Sequence, residues 1–411
     1  MTSPERAQVR LLDPDDLVGW CAALNRGFFL PHDPATSAEI RRGGMDFDRT
    51  LAAYAGTAVV GTFRSFQTTL TVPGGVTVTA DAVTNVTVSA THRRQGLLTE
   101  MMGTDLRAAR DRGEPVAILI ASEWPIYGRY GFGPASETVE YELDADAARF
   151  LDGGEGVVAY ASAEEARAAA PAVFDAHRVT SPSEIARTAR TWDLTFGQLT
   201  APWTDRSKDV HVLCRDGSGA VTGYATYRVE ERWEARRPRN VLSLRELVAT
   251  GPAAATRLWR FLCEIDWVGT VKAADRGVAE PVRWRLADAR VLRQVERGEF
   301  QWVRLLDPAA ALAARRYPAP GRVVLEVADA MGHAGGCYEL DGGPDGAECR
   351  RTTRSPDLTL DVRDLGTAYL GGFTVCDLAA GGRVVEHTAG ALGRADAMFR
   401  SGTAPWSATW F

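Results

Sequence analysis

The sequence predicts an α+β fold, a mixed-sheet α/β arrangement of two similar units followed by a third of different pattern. Three observations predict it. Strand-like runs alternate with helices of three- and four-residue apolar spacing along most of the chain. A strand, a turn and a helix occur in the same relative order twice, beginning near Ala82 and again near Val241. From about Glu299 the order changes to a run of strands with helices after them. A chain of 411 residues suggests about two or three domains of roughly 150 residues each. The breaks are expected to give units 1–150, 151–298 and 299–411.

In the first unit, Val9 to Leu12 reads as a short strand. Asp13-Pro14-Asp15-Asp16 then opens a helix, with a capping aspartate, a proline in the first turn and acids toward the positive end of the dipole. Leu17, Trp20, Cys21, Leu24 and Phe28 give that helix one apolar face, and Thr36 to Arg42 forms a second, weaker helical segment. Leu51 to Tyr54 and Ala58 to Gln67 read as strands. Thr68 to Val72 and Val76 to Ala80 read as a hairpin around Pro73-Gly74-Gly75. Ala82 to Ser89 is a strand rich in Val and Thr. It runs into the basic turn Arg93-Arg94-Gln95-Gly96, then a helix with Leu98, Met101, Met102, Leu106 and Ala109 on one face, ending at Gly113. Val116 to Ala121 is continuously apolar, as in a strand covered on both faces. Glu137 to Leu143 follows.

The second unit opens with a strand at Val157 to Ala161 and a helix from Ala163 that is expected to stop before Pro171. Val210 to Cys214 and Val221 to Val229 form a hairpin, and Val241 to Ala249 is a further strand. After Gly251-Pro252 comes a helix carrying Leu258, Phe261, Leu262 and Ile265. The joint here has no arginine pair, and Pro252 removes one N–H, so packing rather than ligand binding is its expected role. In the third unit, Val323 to Val327, Cys337 to Leu340, Ala347 to Arg351 and Leu358 to Asp361 read as strands, and Val362 to Leu370 and Gly390 to Arg400 as helices. The chain finishes on Trp410 and Phe411, a terminus expected to be buried together with its carboxylate.

Composition narrows the function classes. With 45% apolar and 24% charged residues this is an ordinary globular chain, and a net charge of −6 gives no general attraction to nucleic acid or an anionic membrane. The six cysteines show no C-x-x-C pair, and the six histidines are dispersed, so reduced structural thiols and no metal site are expected. No apolar run approaches the ~20 residues of a membrane span, and MTSPERAQVR has no apolar leader core. A cytoplasmic protein is the expectation.

Val83 to Gly133 concentrates the candidate chemistry. Strand, basic glycine turn, helix and buried strand make a phosphate-binding layout, in which N–H groups at the helix start and Arg93 or Arg94 suit a pyrophosphate. Val86 and Val88 share one strand face, so the backbone there suits the extended arm of an acyl-CoA. The turn Arg94 to Thr99 would hold its pyrophosphate. Ser122 and Glu123 end the parallel neighbour, where splayed strands leave a slot.

These residues carry a family resemblance. Val86-Thr87-Val88, Thr91-His92-Arg93-Arg94-Gln95-Gly96-Leu97-Leu98, Ala121-Ser122-Glu123 and Ile126-Tyr127-Gly128-Arg129-Tyr130-Gly131-Phe132-Gly133 resemble the Eis (enhanced intracellular survival) family, actinobacterial acetyltransferases of the GNAT superfamily. The resemblance implies tandem GNAT-like units followed by a sterol-carrier-like domain, with one active site. It implies acetyl-CoA held by Val86, Thr87, Val88, Arg93, Arg94, Gln95, Gly96, Leu97, Leu98, Thr99, Ser122 and Glu123. It implies direct transfer to a primary amine, from an aminoglycoside, a lysine or a related small amine, and a homohexamer. An amine of pKa ~10.4 is protonated near pH 7, and exposing its lone pair costs about 4.6 kcal/mol, so a base is needed. By the resemblance the base is the α-carboxylate of Phe411. The acid returning a proton to the leaving thiolate is Tyr127, with Tyr130 second. Two positions depart from aminoglycoside-acetylating relatives: Trp410 stands where an acid can precede the final Phe, and Asn25-Arg26-Gly27 offers no carboxylate. The competing expectation is a non-catalytic lipid-binding protein using the sterol-carrier-like domain.

Overall fold

The structure, a computed structural model, describes residues 7–411; residues 1–6, within the N-terminal segment considered above, lie outside the described residues. The first sheet is built on a long hairpin. β1 (Gln8–Leu11), β2 (Thr50–Ala55), β3 (Ala58–Val72), β4 (Val76–Val88) and β5 (Val116–Ile120) lie side by side in that order. Each arm of the hairpin was expected as two strands. Each is a single strand, because pairing between β3 and β4 continues from Val72↔Val76 to Gly61↔Val88 with one irregularity, between Thr62 and Arg64. Among the described residues of this sheet only β4 and β5 run parallel.

Helices cover both faces of this sheet. α1 (Leu17–Gly27) buries Trp20 and Leu24 against Ala52, Tyr54 and Val59, and α2 (Pro34–Arg42) is capped by Asp33, whose carboxylate accepts from Thr36 N at 2.7 Å. On the opposite face α3 (Leu97–Asp111) buries Leu97, Met101, Met102, Leu106 and Ala109 against Val83, Ala117 and Leu119. That is the face read from the three- and four-residue spacing.

Beyond β5 the sheet takes its next strand from far along the chain. Gln301–Leu305 pairs antiparallel with β5, and the short β6 (Gly133–Pro134) pairs with its other edge. In return β7 (Glu137–Asp144) leaves for the second sheet, where it lies between Leu292–Glu299 and Val268–Arg276. The boundaries expected near 150 and 298 therefore each separate a strand from its sheet. The crossing is pinned by a buried knot in which the Ser183 hydroxyl lies 2.9 Å from Gln301 Oε1 and 3.1 Å from Ser136 Oγ.

The second sheet continues through Asn240–Ala249, Val221–Glu230, Val210–Arg215 and Val157–Ala161. Its helices are Ala163–Arg178 on one face and Pro252–Cys263 on the other. The first of these runs straight through Pro171, against expectation. Burial of Ala170, Val173 and Phe174 outweighs the ~3 kcal/mol that an internal proline costs. Leu292–Glu299, with too little apolar alternation to read as a strand, is held by its pairing with β7.

The third unit is a five-stranded sheet, with Gly321–Ala328 between Gly336–Gly343 and Leu358–Asp361, and with helices that include Val362–Tyr369 and Ala391–Phe399. One apolar core joins it to the first sheet, from Ala80, Ala82 and Ile118 through Val303 to Leu325 and Leu340. Tyr317, Tyr338, Tyr369 and Phe399 fill its interior beside the buried Arg315. Among the described residues no helix is long and apolar enough to cross a membrane, and all six cysteines are free thiols.

A buried acid cluster ties β4 to α3. Asp81 accepts from Arg49 at 3.0 Å and Asp105 from Ser65 at 2.7 Å, while the Oδ2 atom of each carboxyl lacks any donor. Burial first, and then each carboxyl's neighbours, hold Asp81 well above the usual carboxylate range, and burial raises Asp105 too. A single proton shared between the two satisfies both orphan oxygens. A carboxyl raised in the fold contributes stability at low pH that is lost as pH climbs above ~4 through the folded value. Asp105→Asn supplies the missing donor permanently. We expect its melting temperature to exceed the wild type's at pH 8 by about 2–4 °C, and the gain to shrink toward pH 4. A variant less stable than wild type at both pH values would rule out the shared proton.

Candidate active site

The site begins where two strands part. β4 and β5 pair from Ala80↔Val116 to Val83↔Leu119 and no further, yet β4 continues to Val88. Among the described residues, its edge on the β5 side thus has no strand beside it from Thr84 onward. Asn85 sits at φ +55° at this point, its carbonyl held by the Thr62 hydroxyl at 2.8 Å. Val86 and Val88 turn toward the α3 face and share a cluster with Leu97, Leu98 and Tyr127. Thr87 points the other way, against the end of α1: a Cβ on Gly27 would lie 2.0 Å from its hydroxyl. Only glycine fits there.

The turn that follows is open to solvent. Arg93, Arg94, Gln95 and Gly96 are exposed, and Gly96 at φ +81° caps α3. Glu100 N is the first to bond within the helix, to Gly96 O at 2.9 Å, so the N–H groups of Leu97, Leu98 and Thr99 carry no helical acceptor. Free N–H groups in such a cradle at a helix start can donate hydrogen bonds to an anion's oxygens.

The opposite wall is the loop after β5. Ser122 and Glu123 are exposed and lead into α4 (Trp124–Tyr127), a single turn. Tyr127 and Tyr130 are both buried. The Tyr130 hydroxyl lies 3.1 Å from that of Thr99, which ties the loop to the first turn of α3. Burial pushes the Tyr127 phenol upward, partly offset by the Ser122 hydroxyl, so it stays protonated at neutral pH. The loop is held from beneath by Arg304, which donates to the Tyr130 carbonyl and grips Asp329 of the third unit at 2.8 and 3.1 Å. Neither side chain of that pair reaches solvent.

The chain terminus arrives on the other face of the sheet. The Trp406 indole donates to the Asp275 carbonyl at 2.7 Å. Glu184, fully buried, accepts from the Ser407 hydroxyl at 2.9 Å and from Ala408 N at 2.6 Å. Arg187 donates to Thr409 Oγ1 at 2.8 Å and to the Ala408 carbonyl at 3.0 Å, and is itself paired with Glu246 at 2.6 Å. Phe411 then lays its ring edge-on to Phe66 of β3, centroids 5.7 Å apart. The expectation that both terminal aromatics are buried needs correction. Phe411 is half-buried, but Trp410 is 67% exposed and touches Phe300 at its rim, since residues alternate in an extended tail and only one of the two can face the sheet.

Val86, Val88, Leu97, Leu98 and Tyr127 are thus gathered on the α3 face, Arg93, Arg94, Gln95, Gly96, Thr99, Ser122 and Glu123 surround the opening, and Phe411 lies across the sheet. Sequence reasoning missed Glu184, Arg187, Glu246, Arg304 and Asp329. A lone arginine inside the apolar run Trp302-Val303-Arg304-Leu305-Leu306 was a usable signal for a buried partner. Glu184 gave none.

Known proteins resemble this chain along nearly its whole length. Residues 8–135 and 184–305 match acetyltransferase (GNAT) domain families, and 308–408 match the sterol carrier protein domain. An N-acetyltransferase Eis of Mycobacterium tuberculosis is 33% identical over 84% of each chain. This chain belongs to the Eis family. An uncharacterized N-acetyltransferase of Streptomyces avermitilis is 40% identical over 99% of each chain. The crystal structure of Eis1 from Mycobacterium abscessus superposes with a TM-score of 0.85 at 30% identity, covering 98% of this chain and 100% of that one. The fold is therefore tandem GNAT domains with a sterol-carrier-like domain, and the protein is an N-acetyltransferase of the Eis family. GNAT domains in general use acetyl-CoA.

Glu184→Ala strips Ser407 and Ala408 of their acceptor, at ~1–3 kcal/mol for such a loss. The tail should then be trimmed by a carboxypeptidase about tenfold faster, with release of Phe411 followed by mass spectrometry. An unchanged trimming rate would mean that other contacts hold the tail.

Proposed function

We propose that the protein transfers an acetyl group from acetyl-CoA directly to a primary amine of an aminoglycoside, a lysine or a related small amine, in a ternary complex. The observation that carries this reading is the parting of β4 and β5 beyond Val83, with a buried tyrosine loop on one face and the terminal Phe411 on the other. A gap through a sheet lets a donor enter from one side and an acceptor from the other.

Acetyl-CoA supplies the activated acyl group. The backbone from Val86 to Val88 binds the extended arm, and the N–H groups of Leu97 to Thr99 with Arg93, Arg94 and Gln95 take the phosphates. A backbone N–H near Val86 or Val88 holds the carbonyl oxygen as charge grows on it. The Phe411 carboxylate, with an ordinary pKa of roughly 3.5 for such a group, is ionised and accepts the amine's proton through water. Tyr127 gives its phenolic proton to the departing thiolate. Tyr130 is the lesser candidate because its hydroxyl is engaged with Thr99. Nothing specific in the structure favours the lipid-carrier alternative. A homohexameric assembly in a cytoplasmic setting belongs to the same reading, and light scattering of the purified chain tests the assembly.

Adding a few residues after Phe411 displaces the carboxylate. Acetyl transfer, followed as CoA release, should fall about 10²–10⁴-fold while CoA binding and melting temperature stay put. Transfer at the wild-type rate would remove Phe411 from the reaction. Tyr127→Phe should lose activity on a similar ~10²–10⁴ scale and flatten the alkaline limb of the pH profile. If Tyr130→Phe produces that loss instead, the acid is Tyr130.

A further inference from the structure

The acceptor side of the sheet carries three arginines from three elements. Arg41 lies in the last turn of α2, Arg64 lies on β3 two residues before Phe66, and Arg190 reaches over from Ala189–Thr195 of the second unit. Arg41 donates to the Asn85 side chain at 3.4 Å, so it stands at the point where β4 and β5 part. It also stacks on Trp203 of the second unit, its guanidinium carbon 4.3 Å from the ring centroid. The Arg64 guanidinium lies 5.6 Å from the centre of the Phe66 ring, the ring on which Phe411 rests. Arg190 donates to the Ile40 carbonyl and runs beside Gly43 and Gly44. Arg64 donates to that same Gly44 carbonyl at 2.6 Å.

Among the described residues none of the three forms an ion pair. Their acceptors are carbonyl oxygens and an amide. The nearest acid acting on Arg64 is Asp46, which already faces Arg49 at 3.7 Å. Burial, with Arg41 and Arg190 close by, brings Arg64 down to about 10, and burial lowers Arg41 as well. A fold that places three like charges together and leaves them uncompensated favours an incoming anion and repels a polycation.

We propose that the acceptor bears, a few bonds from its amine, an oxyanion of the carboxylate or phosphate class that docks on Arg41, Arg64 and Arg190 while the amine faces Phe411. This rests on the amine-acetylation reading above and narrows it away from polycationic acceptors such as aminoglycosides. The planar guanidinium fork suits both oxyanions.

The test uses the full chain and four acceptors matched in length: hexylamine, aminohexanoate, aminohexyl phosphate and hexanediamine. The anionic pair should show KM values at least about tenfold below that of hexylamine, with hexanediamine the poorest, as one charge-assisted contact provides. The better of aminohexanoate and aminohexyl phosphate tells which oxyanion is preferred. Arg190→Gln should raise KM for the anionic probes by about tenfold, with little change in kcat, and Arg190→Lys should restore much of it. A lowest KM for hexanediamine, or an Arg190→Gln effect equal on all four probes, would overturn the proposal. Calorimetry of the same probes with CoA present reads the preference without turnover. Anion-selective binding with no acetylation of any amine would sink the transfer reading and leave the anion site standing. Binding that ignores charge would sink the anion site alone.

Discussion

A main-chain carboxylate can serve as a base only at the last residue, so its position depends on how the final few residues are held. Here that task falls to one buried carboxylate, Glu184, aided by Arg187. Ser407, Ala408 and Thr409 are fixed by side chains more than 200 positions earlier, and Phe411 follows by geometry onto Phe66. Burying an acid without donors costs several kcal/mol, so Glu184 and the tail stabilise one another only when joined.

The second GNAT domain thereby helps to position the chain terminus. Its two parallel strands also part, pairing from Asn240↔Val268 only to Leu244↔Ala273. The opening is filled from within: Arg276 donates to the Leu247 carbonyl at 2.8 Å and pairs with Glu280, and Trp406 lies over its guanidinium. Where the first domain keeps a slot, the second grips the chain terminus. The third domain acts in parallel on the other face, through Arg304 and Asp329 beneath the tyrosine loop.

Much of this was legible in the sequence because it is written in local periodicity and local turns. The apolar face of α3, the glycine at the start of that helix and the capping of α2 and of the turn before α1 all depend on residues within a few positions of one another. The strand exchange was not legible, since Gln301–Leu305 and β7 are ordinary strands whose choice of sheet is made by partners about 150–190 positions away. Pro171 misled for the same reason: its local penalty is real, and distant packing overrode it. At the site, the cradle was visible as a motif, whereas Glu184 and Arg304 act through partners that no spacing rule connects to them.

The exchanged strands also decide how this chain can be divided. Cutting it near 298 to free the first domain would leave β5 without its neighbour, a bare, wholly apolar edge of five residues open to pairing with another molecule. Releasing the second domain would strip β7 from between Leu292–Glu299 and Val268–Arg276 and split that sheet. Although assembled from three recognisable modules, the protein is modular only in ancestry. In synthesis the first sheet cannot close until the ribosome has passed Leu305, so its early strands must wait, incomplete, for more than two-thirds of the polypeptide to emerge.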